Sequence, residues 1–459
     1  LPALILAGMI ATLISCKKDE PSVFFTEKEI VSFMVSAETV PLLDTSNVSV
    51  SIREDSILIA VPYGTLLTKM APEIKIKAKS ISPASGTVLD FTNPVTFTVT
   101  AENGTTKTYT AVVTISKPKY IVYFGGYDKY FYAVDGKSGA LIWKTLAGGG
   151  FSNSDPTVVG NTIYVGANDG KLYAFDTETG RIKWTSTAAS EAIESSPAIS
   201  TENNTVFFGS DDDSFYAVDA STGALKWKYR TGFNVSTNPL LVGNMVYVAS
   251  DDRYLYAFDQ VTGAIKWESN CGNWFVESSP VYANNTIYVG GRSGKLLAIN
   301  IADGTRNWFI DLGTSLERST PIIVNNVLYI GSEHGGVFAV DINTQTVLSN
   351  FLTSAVEITD PAIANDKLYA TSGSNVYCTD LKTGNIVWSN NILPNYASPI
   401  VVDNIVYAGG GGMGYFYAFD PNTGGLKWKY AIPNLNSTTT PCIVDDKGQV
   451  FYKGTVRMR

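Results

Sequence analysis

From about residue 120 onward the chain repeats itself. YAVDGKSGALIW ends at Trp143, YAFDTETGRIKW at Trp184, YAVDASTGALKW at Trp227 and YAFDQVTGAIKW at Trp267. LAINIADGTRNW follows to Trp308, YCTDLKTGNIVW to Trp388 and YAFDPNTGGLKW to Trp428. The sixth copy, FAVDINTQTVLS, keeps Asp341 but has Gln345 and Ser349 where the others have Gly and Trp. The equivalent positions are Asp135, Asp176, Asp219, Asp259, Asn300, Asp341, Asp380 and Asp420, spaced by 41, 43, 40, 41, 41, 39 and 40 residues. A unit of this length cannot bury its own apolar face, so successive units must stack. Four strand signals in each unit predict a β-propeller.

The mechanics of one unit follow from its residues. A Pro-led apolar strand (Pro197-Ala198-Ile199) precedes a Tyr-x-Gly strand (Tyr164-Val165-Gly166), the Tyr-Ala-x-Asp strand and an outer strand ending in Trp. The Asp is placed to accept backbone N–H groups of the next turn, and the Gly four residues on permits positive φ in a bulged hairpin. The Trp is expected to cover the neighbouring blade. Eight units predict eight blades. The first unit begins at its second strand, Tyr120-Ile121-Val122-Tyr123, and Pro441-Cys442-Ile443-Val444 is a Pro-led strand with no outer partner, followed by Val450-Phe451-Tyr452. This last segment is expected to complete the first blade, closing the ring and removing its sheet edges.

The Ala-x-Asp-x3-Gly-x3-Trp pattern resembles the pyrroloquinoline-quinone repeat over about 340 residues, with Trp in seven of eight copies. That resemblance implies the propeller fold of quinoprotein alcohol dehydrogenases, but cofactor-free scaffolds share it. The quinone enzymes typically carry two adjacent cysteines over the cofactor, a floor Trp and a calcium held by carboxylates and amides. No two cysteines are adjacent here, so no residue is carried over as a cofactor ligand. The architecture is also similar to that of the propeller lipoprotein of outer-membrane barrel assembly, which binds a partner protein and has no catalysis.

Upstream of the repeat, residues 23–116 alternate with period two. Val48, Val50, Ile52; Ile57, Ile59, Val61; Ile74, Ile76, Ala78; Phe97, Val99; and Tyr109, Ala111, Val113, Ile115 mark half-buried strands, with a hairpin turn at Glu102-Asn103-Gly104. Six or seven short strands predict an immunoglobulin-like β-sandwich. The stretch from Ile81-Ser82-Pro83 to Glu102-Asn103-Gly104 resembles small sandwich domains behind the lipid anchor of Bacteroidetes lipoproteins, which implies a spacer. The apolar run of residues 1–15 is too short to span a bilayer and reads as the h-region of a secretory signal. Leu13-Ile14-Ser15-Cys16 resembles a lipobox, implying lipidation at Cys16, and Lys18-Asp19-Glu20 resembles a surface-export signal. The expected organisation is therefore all-β: residues 1–16 signal and lipobox, 17–22 linker, 23–116 sandwich, 120–459 eight-bladed propeller. An outer-membrane lipoprotein facing the cell surface is expected, with a periplasm-facing one as the alternative.

Composition narrows function. With 34 Lys+Arg against 42 Asp+Glu the net charge is −8, which lacks the basic footprint that nucleic acid requires. A single histidine, His334, excludes a His-rich zinc site and leaves one residue through which a nucleophile–His pair could run. In its unit His334 falls in the same strand turn as Asp211-Asp212-Asp213 and Asp251-Asp252 in theirs. These read as turn residues rather than as a base or metal ligands. Cys378 and Cys442 fall in slots that Ala fills in other units and read as core. No metal and no cofactor is expected.

Candidate binding residues lie in the loops before the Pro-led strands. The two residues immediately before Pro are nearly uniform (Ser195-Ser196, Thr237-Asn238, Ser278-Ser279, Ser319-Thr320, Thr359-Asp360) and read as structural. Three before Pro the residues diverge, and aromatics interrupt nearby. Variation on a fixed scaffold is where function sits, so Phe151, Glu194, Phe233, Trp274, Phe275, Glu277, Arg318 and Tyr396 are the candidate ligand- or partner-binding set. The expected function is a membrane-anchored binding or scaffolding lipoprotein engaging a protein or glycan through the propeller face. The alternative is an oxidoreductase using pyrroloquinoline quinone and calcium in an atypical site.

Overall fold

A computed structural model describes residues 26–35, 48–63, 65–272, 278–352, 357–392, 397–410, 414–432 and 439–451. Their regular elements are β-strands apart from one 3-10 turn, Leu67–Lys69. No helix among the described residues is long and apolar enough to cross a membrane. The chain divides into two compact units, Leu1–Ser116 and Lys117–Arg459.

The first unit holds β1 (Glu29–Met34), β2 (Ser49–Arg53), β3 (Ser56–Pro62), β4 (Glu73–Lys77), β5 (Ser80–Ser82), β6 (Val95–Thr100) and β7 (Thr106–Ser116). β1 and β4 pair with each other, and the remaining strands form a second sheet in the order β2-β3-β7-β6-β5, with β3 and β7 parallel. The period-two residues face one core: Ile57, Ile59, Phe97, Val99, Tyr109 and Ala111 from the larger sheet meet Ile30, Phe33 and Ile74 from the smaller. Phe33 meets Phe97 edge to face at 5.6 Å. Alternation does not flag β1, because its register against β4 shifts between Ile30 and Ser32 and breaks the period.

In the second unit the described residues form eight sheets. Seven are successive four-stranded antiparallel meanders, such as Thr157–Val159, Thr162–Gly166, Leu172–Asp176 and Ile182–Ser186. The first sheet is assembled from both ends of the unit. Its outer strands are β8 (Tyr120–Gly125), β9 (Tyr130–Asp135) and β10 (Leu141–Leu146). Cys442–Asp445 pairs antiparallel with β8, from Cys442 opposite Tyr123 to Asp445 opposite Tyr120, and Val450–Phe451 adds a fifth strand on its far side.

The repeat motif explains how sheets stack. Asp135 Oδ1 accepts the backbone N–H groups of Lys137 (2.8 Å) and Ser138 (2.7 Å), and the same arrangement recurs at Asp176, Asp219, Asp259, Asp341, Asp380 and Asp420. At Asp380 the bonds from the Thr383 N–H and hydroxyl hold the carboxyl below its ordinary value. The indole N–H groups of Trp143, Trp184, Trp227, Trp267, Trp388 and Trp428 donate at 3.0–3.1 Å to the carbonyls of Thr177, Ala220, Gln260, Ile301, Pro421 and Gly136, each one sheet further on. The last of these runs from the eighth sheet to the first. The motif Gly lies beneath the ring: a Cβ on Gly180 would sit 2.5 Å from Trp143.

Candidate binding face

In a meander, successive connections emerge at opposite ends of the sheet. The loops into the Pro-led strands and the turns between second and third strands therefore share one face of the propeller. On this face the residues immediately before Pro form a belt. The N–H of Thr440 donates to Asp155 Oδ1, that of Asp155 to Ser196 Oγ, Ser196 to Asn238 Oδ1 and Asn238 to Ser279 Oγ. Thr320 N–H donates to Asp360 Oδ1, Asp360 to Ser398 Oγ and Ser398 to Thr440 Oγ1. Among the described residues the circuit lacks only the step from Ser279 to Thr320, whose Oγ1 is buried without a partner. One residue earlier, the hydroxyls of Ser154, Thr237, Ser319 and Thr439 accept the N–H groups of Gly166, Ala249, Gly331 and Gly125. The uniform pre-Pro residues satisfy backbone groups that would otherwise be buried unpaired.

Charge on this face is unevenly distributed. Burial, with repulsion from Glu194, Glu191, Asp251 and Asp212, pushes the Asp211 carboxyl up to about 7. Asn153 Nδ2 donates to Glu194 Oε2 at 3.1 Å, tying adjacent loops. Further round, Glu317, Arg318, Glu333, Glu357, Ile358 and Thr359 line a cavity of about 20 Å³. That is room for about one water. Arg318 and Glu357 both have left-handed backbones, at φ 64° and 50°, a strained conformation that clusters at functional sites. Arg292 Nε lies 3.5 Å from Glu317 Oε2.

Of the residues expected to bind, Glu194 and Arg318 stand on this face, and Phe233 is 50% exposed. Phe151 does not belong with them. It is fully buried, packed edge-on against Phe131 at 5.4 Å and filling the space over Gly125, where a Cβ would approach it to 2.3 Å. Trp274, Phe275, Glu277, Tyr396 and Cys16 lie outside the described residues. Sequence reasoning missed Glu333 and Glu357 because they line the cavity with Arg318 from a turn of the sixth sheet and from the loop into the seventh. Asp212 and Asp252 lie in strand turns, as read from the sequence, and there accept the phenols of Tyr216 (2.6 Å) and Tyr256 (2.7 Å). His334 is an exposed turn residue, with its ring Nε2 3.7 Å from Glu333 Oε1.

Cys271, just past the last strand of the fourth sheet, and Cys378 and Cys442, in strands of the seventh and first sheets, are free and buried, with no adjacent pair among them. Among the described residues no three His, Cys, Asp or Glu side chains gather to hold a metal ion.

Comparison with known proteins places the fold. The family described as outer membrane protein assembly factor BamB matches residues 106–202 and 187–390, more than half of the chain. Residues 31–113 match the family described as SGBP, N-terminal. No curated protein matches the chain. BamB from Moraxella catarrhalis is 18% identical, with 65% of this chain and 93% of that one covered and a TM-score of 0.55. The computationally designed Ika8 protein is 19% identical over 70% and 95%, TM-score 0.55. A europium-containing methanol dehydrogenase is 14% identical over 64% and 81%, TM-score 0.53. At these identities the likeness is one of fold. With its motif, its stacked sheets and the extent of that match, the chain belongs to the BamB family of pyrroloquinoline-quinone-repeat β-propellers.

Proposed function

We propose that this protein is a lipid-anchored, surface-facing binding or scaffolding module. Cys16 carries the lipid, residues 23–116 form an immunoglobulin-like spacer, and an eight-bladed propeller over residues 120–459 presents its loop face to a protein or glycan partner. The observation that carries this reading is the pairing, in one chain, of an SGBP N-terminal match with a BamB-family propeller. The first is a surface glycan-binding family and the second fits a scaffolding role. The loop face supports it: a belt of satisfied hydrogen bonds fixes the loops, and acidic and Arg-bearing sectors sit on that rigid frame.

Palmitate labelling of wild type and Cys16→Ala tests the anchor; equal label in both would remove it. External protease on intact cells tests orientation, with digestion of the propeller expected. For the face itself, Arg318→Ala is expected to weaken capture of the partner by about 1–3 kcal/mol, the range of interface hot spots, without lowering the melting temperature. Unchanged affinity would reject this sector.

A further inference from the structure

The opposite face carries a second feature. A groove of about 600 Å³ runs between the fourth and fifth sheets, at the end where first and second strands are joined and where the Asp turns lie. Its lining includes Tyr247, Asp259, Lys266, Trp267, Tyr282 and Asn285. Two departures from the repeat coincide there. The middle residue of the inner strand is aliphatic elsewhere (Val158, Ile199, Leu241, Ile323, Ile363, Val401, Ile443), but here it is Tyr282, 38% exposed, with its hydroxyl on Asn285 Oδ1 at 3.1 Å.

The second departure is an open ion pair. Lys183, Lys226 and Lys427 lie 3.4–3.7 Å from Asp176, Asp219 and Asp420 of their own sheets. Lys266 makes no such pair with Asp259 among the described residues, although both line the groove. Beside them lies an idle hydroxyl, a feature shared with Tyr288 and Tyr329 of the next two sheets, which likewise make no bond to a neighbouring sheet's carbonyl among the described residues. Tyr123, Tyr164, Tyr369 and Tyr407 donate to the same carbonyls that receive the Trp indoles. Tyr247 is only 4% exposed and lines the groove, yet its hydroxyl has no partner among the described residues, and Ile301 O receives Trp267 alone.

An exposed phenol ring beside a carboxylate, an ammonium, an amide and an unspent hydroxyl matches a pyranose, whose C–H face stacks on an aromatic while its hydroxyls take hydrogen bonds of both senses. The opposite charges of Asp259 and Lys266 cancel, which selects an uncharged sugar. The volume lies within the range of small-molecule sites, about 300–1,000 Å³. We infer that this groove binds an uncharged hexopyranose unit of an oligosaccharide. The inference is independent of the partner on the loop face.

The test is calorimetric titration of the full chain with cellohexaose, laminarihexaose, maltohexaose and mannohexaose. At least one is expected to bind, and Tyr282→Ile is expected to weaken it about tenfold or more, equivalent to about 1.4 kcal/mol. Because Ile fills this position in other units, the melting temperature of that variant should match wild type. Lys183→Ala, at the equivalent lysine of the second sheet, should leave the affinity unchanged. Three results overturn the inference: no binding by any of these sugars, equal affinity after Tyr282→Ile, or an equal loss of binding in Lys183→Ala.

Discussion

The backbone N–H of Thr440 donates to Asp155 Oδ1 at 2.7 Å, across 285 residues of sequence. Thr440 leads into the strand that completes the first sheet, and Asp155 leads into the second, so this bond seals the belt where the chain closes on itself. Asp155→Ala would leave a buried N–H unpaired, at an expected cost of about 1–3 kcal/mol. Asp155→Asn keeps the acceptor and should lose far less. Thr320, whose hydroxyl is the idle member of the belt, provides the control: Thr320→Val should stay within about 0.5 kcal/mol of wild type. Denaturant unfolding of the three variants checks the order, and a Thr320→Val loss equal to that of Asp155→Ala would contradict it.

Gly139 and Gly384 occupy equivalent turns with the same φ of 73°. A Cβ on Gly139 would come within 2.6 Å of the Trp428 ring, whereas one on Gly384 meets nothing within 4 Å. The reason lies one unit back, where Ser349 replaces the Trp that would cover Gly384. Gly384→Ala should therefore cost only left-handed strain, about 1–2 kcal/mol, while Gly139→Ala adds an overpacking cost of about 1–3 kcal/mol. Melting temperatures of the two variants separate the contributions; equal losses would mean that the Trp428 contact is slack.

The ring was legible because Asp, Gly and Trp each serve one fixed mechanical purpose in every unit, so their spacing reports the stacking directly. The sites were less legible because they depend on residues from separate turns. Phe151 looks like an exposed loop aromatic until Gly125 is seen to leave room for it. Arg318 could be singled out as a deviant, but Glu333 and Glu357 could be assigned to it only in three dimensions. Tyr282 was available to sequence reasoning: aligning inner strands column by column, rather than the loops before them, isolates it as the one aromatic.

Asp211 makes stability depend on pH. Its carboxyl, raised to about 7 by burial and by Glu194, Glu191, Asp251 and Asp212, binds its proton more tightly in the folded than in the unfolded state. Its contribution is therefore fully present below about pH 4 and is lost as pH rises through about 7. Asp211→Asn removes the ionisation. The variant should melt at a higher temperature than wild type at pH 8, with the difference shrinking towards pH 4. A difference that stays constant across this window would assign the effect to packing instead.

Closure by the C-terminal strand carries the largest expected effect. Cys442 and Ile443 are fully buried, and Ile443 lies in a core with Tyr120, Val122 and Phe124 of the first sheet and Tyr407, Phe416 and Trp428 of the eighth. Phe124 stacks on Phe416 at 4.5 Å, so the first and eighth sheets are in direct ring contact at their seam. Deleting Pro441 to Arg459 removes the inner strand of the first sheet, exposes the backbone edge of β8 and deprives Ser398 of its belt acceptor Thr440. The loss should therefore spread round the ring and not stop at a frayed end. Hydrogen exchange of the truncated protein is expected to show reduced protection in the first and eighth sheets and to extend to the fourth, with a lowered melting temperature. Protection lost in the first sheet alone would mean that the remaining sheets hold together without closure.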